Sequence, residues 1–233
     1  MKNYFKISKY HFENFLFYYC AIPKMKKERI SKILLKKYLP ENPIVIDCGA
    51  HDGTDSIELA KILKGVIHSF EPVNRLFNKL QKNTIKYNNI KCYQIALSNK
   101  NGSQDFYLSE GRSDASSSLL EPLEHLKDHP DTLFKKTTVN TITLDNWASM
   151  NNIQKVDLLW LDMQGFELNM LKSSKLIFKT VKVIHTEVST KETYSGVAQY
   201  SEYKTFLESE GFQLELEAIP EGWDMGNVLF IRK

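Results

Sequence analysis

Residues 47–53 read Asp-Cys-Gly-Ala-His-Asp-Gly and follow the apolar run Ile44-Val45-Ile46. A short apolar run ending in glycine is how a buried parallel strand reads as it enters a tight turn. Gly49 and Gly53 would let the backbone turn sharply and approach a ligand with no Cβ in the way. Such glycines also serve turns that bind nothing, so a second group is needed. Glu71 supplies it at the end of the next apolar run, Val66 to Phe70. It lies about 20 residues on, the spacing at which a carboxylate grips ribose hydroxyls.

The nucleoside implied has no phosphate. Dinucleotide binding uses Gly-x-Gly-x-x-Gly, and here His51 stands where the second close-approach glycine would be, which counts against a nicotinamide-dependent oxidoreductase. No glycine precedes Lys-Ser or Lys-Thr at Walker spacing. Asp47 would pair with a cofactor amino group and repel phosphate.

These residues need a sheet to hold them. Residues 44–49, 66–70, 90–97, 156–162, 181–187, 212–218 and 228–231 read as strands. Helical spacing joins Ile30, Ile33, Leu34 and Tyr38, and the helix should stop before Pro40. Thr54 or Asp55 would cap the next helix, through Leu63. Further helices hold Leu76, Phe77 and Leu80, then residues 167–173, then 202–210 with Gly211 as the stop. Strands alternating with helices predict an α/β fold, a doubly wound, mainly parallel, seven-stranded Rossmann-like sheet. The last two strands are too close in sequence for a crossover, so they form an antiparallel hairpin. Asn101-Gly102 reads as a hairpin turn between 93–98 and 105–108. Residues 110–136 read as polar loop over the sheet's carboxyl edge.

Five segments, in order, resemble those of the FkbM family of S-adenosylmethionine-dependent, class I methyltransferases. They are Val45 to Gly53, Phe70-Glu71-Pro72, Ala96-Leu97-Ser98, Thr143-Leu144-Asp145 and Leu161-Asp162-Met163-Gln164-Gly165-Phe166-Glu167. The chain departs from the family at His51, more often Asn there, and at Gln164, often Glu. The resemblance implies an S-adenosyl-L-methionine site built from Asp47, Gly49, Ala50, His51, Gly53, Glu71, Pro72, Ala96, Leu97, Ser98 and Asp162. Adenine would lie at Ala96-Leu97-Ser98, with Ser116 and Ser117 reaching it from the loop. It also implies methylation of a hydroxyl, with a carbohydrate or glycan-linked acceptor leading. The domain would span 41–233, with an insert loop about 101–140 and an N-terminal helical extension over 1–40.

A hydroxyl is a poor nucleophile until deprotonated, so a base or a metal is required. Asp162 and Glu187 end strands, and His185 shares a strand face with Glu187. In one reading His185 or Asp162 is the general base and Glu187 orients it. In the other, Asp162 and Glu187 hold Mg²⁺, which lowers the acceptor's pKa. Each residue also has a plainer role. Asp162 could cap a helix, Glu167 complement a helix dipole, and His185 and His68 sit hydrogen-bonded in the core. Trp147, Trp160 and Trp223 are chiefly core candidates, though Trp223 could stack on a sugar. A cofactor-binding module that no longer catalyses is the remaining alternative.

Composition narrows the classes. The chain has 233 residues, 42% hydrophobic and 25% charged, and a net charge of +3, which does not point to nucleic acid. The basic cluster Lys24, Lys26, Lys27, Arg29, Lys32, Lys36 and Lys37 reads as a solvated helix face. Cys20, Cys48 and Cys92 have no metal-ligand spacing and suit a reducing cytoplasm. No apolar run is long enough to span a membrane. The aromatic segment Met1 to Ala21 reads as a capping helix, ahead of a homo-oligomer contact or weak peripheral membrane contact.

Overall fold

The computed structural model describes residues 30–233 apart from 112, 125 and 127–129; the expected capping helix lies outside the described residues. In chain order the elements are β1 (Ile44–Cys48), α1 (Thr54–Ile62), β2 (Val66–Phe70), α2 (Asn74–Thr84), β3 (Ile90–Tyr93), β4 (Ala96–Leu97), β5 (Gly102–Gly111), β6 (Thr132–Ile142), α3 (Leu144–Met150), β7 (Leu158–Leu161), α4 (Glu167–Ser173), β8 (Val183–Ser189), α5 (Tyr200–Ser209), β9 (Phe212–Ala218) and β10 (Met225–Arg232).

Seven strands form one sheet in the order β3-β2-β1-β7-β8-β10-β9. The first five pair in parallel, and β10 is antiparallel to both β8 and β9. Successive strand residues point to opposite faces, and the two cores follow that alternation. Ile46, Leu159, Ile184 and Phe230 pack with Trp147, Leu168, Leu171 and Leu207 on one face. Val45, Leu158, Val183 and Leu229 pack with Leu35, Leu59 and Leu63 on the other. Helices cover both faces, which is why the parallel strands β1, β2, β7 and β8 are almost wholly buried. Strand order reverses between β1 and β7, and ligand crevices open outside the carboxyl ends of strands at such a switch point.

Several local expectations give way to tertiary structure. The segment after Ile30 is a 3₁₀ helix, Lys32–Lys37, which does end before Pro40. Gly53 occupies the N-cap of α1 with φ +88°, and the Asp52 carboxylate accepts the Thr54 N–H at 3.1 Å. Neither Thr54 nor Asp55 caps this helix. The run 90–97 is divided: β3 stays at the sheet edge, whereas β4 leaves to pair with β6 in a second sheet, ordered β4-β6-β5. Asn101-Gly102 therefore closes no hairpin with 93–98. Instead β5 pairs with β6, register Gly102↔Thr141 to Gly111↔Thr132, so the two ends of the stretch read as loop, residues 110–111 and 132–136, belong to a long-armed hairpin. The Thr143-Leu144-Asp145 motif is structural: Thr143 Oγ1 caps α3, and Asp145 accepts the N–H groups of Leu176 and Ile177.

Candidate active site

The turn after β1 is set by one close approach. Gly49 has φ +82°, and a Cβ there would lie 1.9 Å from the backbone oxygen of Asp162. No side chain fits in that gap. The two strand ends are also tied by the Asp162 N–H, which donates to the Cys48 carbonyl at 2.9 Å. Gly53 serves packing rather than ligand approach, because a Cβ would meet Leu80 at 2.8 Å on α2. Ala50 is likewise buried against Phe77 and Leu80. His51 takes a left-handed backbone, φ +50°, and its Nε2 lies 2.9 Å from Asp114 Oδ1. Arg75 Nη1 donates to the other Asp114 oxygen at 2.9 Å. Burial opposes ionisation of Asp114, but the His51 and Arg75 contacts hold its carboxyl below the usual range.

Asp47 does not line the crevice: it is buried and accepts a hydrogen bond from Ser56 Oγ at the start of α1. Burial, then the Asp55 charge, pushes its pKa to about 7. The expected pairing with a cofactor amino group is therefore replaced by an internal bond. Ser98 is also removed from the site, fully buried with its Oγ accepting from Gln104 Nε2.

What remains forms a crevice of about 640 Å³, lined by Gly49, His51, Glu71, Pro72, Ala96, Leu97, Ser117 and Asp162 among others. Glu71 Oε2 accepts the His51 N–H at 3.0 Å and Oε1 the Val73 N–H at 2.8 Å. A carboxylate oxygen has two lone pairs, so each still has one free for a ribose hydroxyl. Burial pushes Glu71 up to about 7 against those two bonds. Phe70, Leu97, Phe106, Leu119 and Phe166 give apolar walls for a flat base. The charged side chains on the lining, Glu71, Asp114 and Asp162, are acidic apart from His51, and no Lys or Arg is among the lining residues described. A cationic sulfonium suits this donor set and a pyrophosphate does not.

Asp162 follows β7 at the mouth of the crevice. Gln164, also in a left-handed backbone with φ +52°, donates from Nε2 to Asp162 Oδ1 at 2.6 Å and to Glu187 Oε2 at 3.2 Å. Glu167 lies behind them and accepts the Met163 N–H at 2.7 Å. Asp162 is open to solvent from the crevice yet ringed by protein, and this desolvation raises its pKa despite the Gln164 bond. Burial, then Asp162 and Glu167, pushes Glu187 to about 8, and burial pushes Glu167 to about 7. The Mg²⁺ expectation does not fit here. The amide N–H group shared by Asp162 and Glu187 occupies the place a cation would need, and a donor there repels one. Among the described residues no group of three or more His, Cys, Asp or Glu has metal-ligand geometry.

His185 does not join the crevice. It lines a second cavity of about 840 Å³ with Ile30, Lys32, Asp55, Glu58, Trp160, Leu161, Asp162, Glu187 and Asn227. Its ring lies flat on Trp160, centroids 3.5 Å apart, and burial lowers its pKa to about 3. Lys32, expected on a solvated face, is held inside by Asp55 and Glu58 and stands 4.7 Å over the Trp160 ring. Lys32, Asp114 and Asn227 carried no local signal, because only the packing of distant segments brings them to a cavity. Of the tryptophans, Trp147 and Trp160 are buried and Trp223 is 68% exposed. His68 is structural, with Nδ1 3.0 Å from the Tyr93 hydroxyl. No helix among the described residues is long and apolar enough to cross a membrane.

Residues 47–214 match the family model described as Methyltransferase FkbM domain. The 2-O-methyltransferase NoeI of Sinorhizobium fredii (strain NBRC 101917 / NGR234) is 30% identical over 162 residues, covering 66% of this chain and 67% of that protein. Among solved structures, a fibrillarin/Nop5p complex aligns with a TM-score of 0.50 at 20% identity, over 87% of this chain and 79% of that one. Magnesium protoporphyrin IX methyltransferase from Synechocystis PCC 6803, with bound SAM, aligns with a TM-score of 0.49 at 11% identity, over 86% and 74%.

Proposed function

As the chain belongs to the FkbM family and is an S-adenosylmethionine-dependent methyltransferase, we propose that it methylates a hydroxyl of a carbohydrate or glycan-linked acceptor, with Asp162 as general base. One observation supports this above the rest. The Asp162 carboxylate stands on the crevice wall, its backbone packed on Gly49 and one oxygen held by Gln164, where it can meet an acceptor hydroxyl beside a bound cofactor. The relative's activity as a 2-O-methyltransferase supports oxygen as the methylated atom. The family resemblance supports a sugar as its carrier.

The roles follow from placement. Glu71 holds ribose hydroxyls, the walls at Pro72, Ala96 and Leu97 hold the base, and the Gly49 turn lets the backbone come close. When bound there, S-adenosylmethionine supplies an electrophilic methyl on a sulfonium centre. Asp162 accepts the hydroxyl proton, a step that contributes roughly 10²–10⁴-fold in rate. Gln164 and Glu187 fix the orientation of that carboxylate. His185 is too weak a base for the role, since burial lowers its pKa to about 3, and it lies outside the crevice. The test is transfer of labelled methyl to a panel of glycans and glycolipid precursors. The expected product is an ether that keeps its label through mild alkali. Label lost as methanol would mean a carboxyl acceptor, and binding of NADH in place of S-adenosylmethionine would reject the reading outright.

A further inference from the structure

The second cavity shares one described residue with the crevice, Asp162. Its other walls have no part in holding a nucleoside. On the far side Glu187 and Asn227 face each other across the β8–β10 pair. The floor is the parallel Trp160–His185 stack, and His185 Nδ1 is buried with no hydrogen-bond partner. The rim is Lys32 with Asp55 and Glu58, and Asp55 also accepts the Trp160 indole N–H at 3.2 Å. The lining thus offers acidic groups, the Asn227 amide and the edge of an aromatic stack, which together match hydroxyl groups set on a ring.

Its charge is just as informative. Among the described lining residues, the Asp55 and Glu58 carboxylates face the ammonium of Lys32, and the acidic groups of Asp162 and Glu187 stand opposite with no further cation. Asp55 and Glu58 already pair with that ammonium, so it has no unmatched charge to offer an anion. A phosphate or sulfate there would meet acidic groups at short range and find no unpaired cation among the described lining residues.

We infer that this cavity is the acceptor chamber, joined to the cofactor crevice at Asp162, and that it takes an uncharged, hydroxyl-rich acceptor and rejects one carrying phosphate, pyrophosphate or sulfate. The inference rests on the O-methyltransferase reading above. Lys32 and Asn227 are then specificity residues, and the Lys32–Asp55–Glu58 cluster is the charge filter.

The test uses the full chain saturated with S-adenosylhomocysteine. Maltotriose, cellotriose and chitotriose are each compared with a singly sulfated form, by saturation-transfer NMR and tryptophan fluorescence. At least one neutral sugar should bind, and its sulfated form should bind about tenfold or more weakly. Trp160→Phe should remove the fluorescence change. Asn227→Leu and Lys32→Met should each weaken the neutral sugar about fivefold or more. The double variant D55N/E58Q leaves Lys32 unpaired and should shift preference toward the sulfated sugar. Its two sites are over 40% exposed at the side chain, so the fold tolerates it. The inference is overturned if no neutral sugar binds, if the sulfated form binds as well, or if neither Asn227→Leu nor Lys32→Met affects binding. S-adenosylmethionine affinity of the unaltered chain, measured alongside, separates the two levels. Tight cofactor binding with any of those failures removes the chamber alone, whereas absent cofactor binding removes the methyltransferase reading beneath it.

Discussion

Gly49→Ala puts one methyl group where the structure has no room for it. The new Cβ would sit 1.9 Å from the Asp162 carbonyl oxygen, well inside van der Waals contact. That oxygen belongs to backbone pinned by the Cys48–Asp162 hydrogen bond and by the β1–β7 pairing, so it cannot swing aside as a side-chain tip would. Two terms add. A non-glycine residue at φ +82° costs about 1–2 kcal/mol, and overpacking costs about 1–3 kcal/mol more. At about 2–4 °C per kcal/mol for a chain this size, the melting temperature should fall by roughly 4–20 °C. The displaced backbone carries Asp162 and the turn together, so S-adenosylmethionine affinity should drop about tenfold or more in calorimetry. Gly222→Ala is the matched control: φ is +80° and nothing lies within 4 Å of its Cβ. It should show the conformational cost alone and bind the cofactor normally. If Gly49→Ala binds S-adenosylmethionine as well as Gly222→Ala does, the close approach is not what shapes the site.

Glu71→Gln should weaken S-adenosylmethionine by about 1.5–3 kcal/mol, the size of a hydrogen bond to a charged group, read by calorimetry; an unchanged Kd would show that Glu71 does not hold the ribose. Asp162→Asn should lower kcat about 10²–10⁴-fold while cofactor affinity changes far less, and single-turnover rates beside binding isotherms check this. Stability should fall as pH rises from about 5 to 8. Buried Glu71 and Glu167 have pKa values raised to about 7 and Glu187 to about 8. The folded chain therefore keeps protons that the unfolded chain has already released, and each such carboxyl adds a slope of about 1.4 kcal/mol per pH unit. Denaturant melts at pH 5, 6, 7 and 8 measure it, and Glu167→Gln should flatten the slope; a stability that rises over this range contradicts the burial argument. Gln164→Leu removes the donor shared by Asp162 and Glu187, so the acid limb of the kcat/KM profile should move up by about one pH unit.

The seven strands of the main sheet and most of the helices were legible because each needs only a local pattern. Ile44-Val45-Ile46 ending in glycine, or Leu76, Phe77 and Leu80 at helical spacing, carries its own period, and burial then follows. Glu71 was legible too, because its distance from the turn is fixed by one strand–helix–strand unit. What a local pattern cannot carry is pairing across distance. Nothing within residues 90–97 says that β3 and β4 belong to different sheets, nor does Asn101-Gly102 reveal that β5 waits for a partner some 30 residues on. Side-chain direction is equally hidden. Asp47 and Ser98 sit in the right motifs yet turn into internal hydrogen bonds, while Lys32, in a basic run that reads as surface, is drawn inward by carboxylates 23 and 26 residues away. The sequence alone determined which residues form the cofactor turn, since φ and Cβ restrictions act residue by residue. Only the tertiary structure decided which carboxylates line the crevice and which turn into internal hydrogen bonds, because a buried charge is placed by whichever partner the folded chain brings to it.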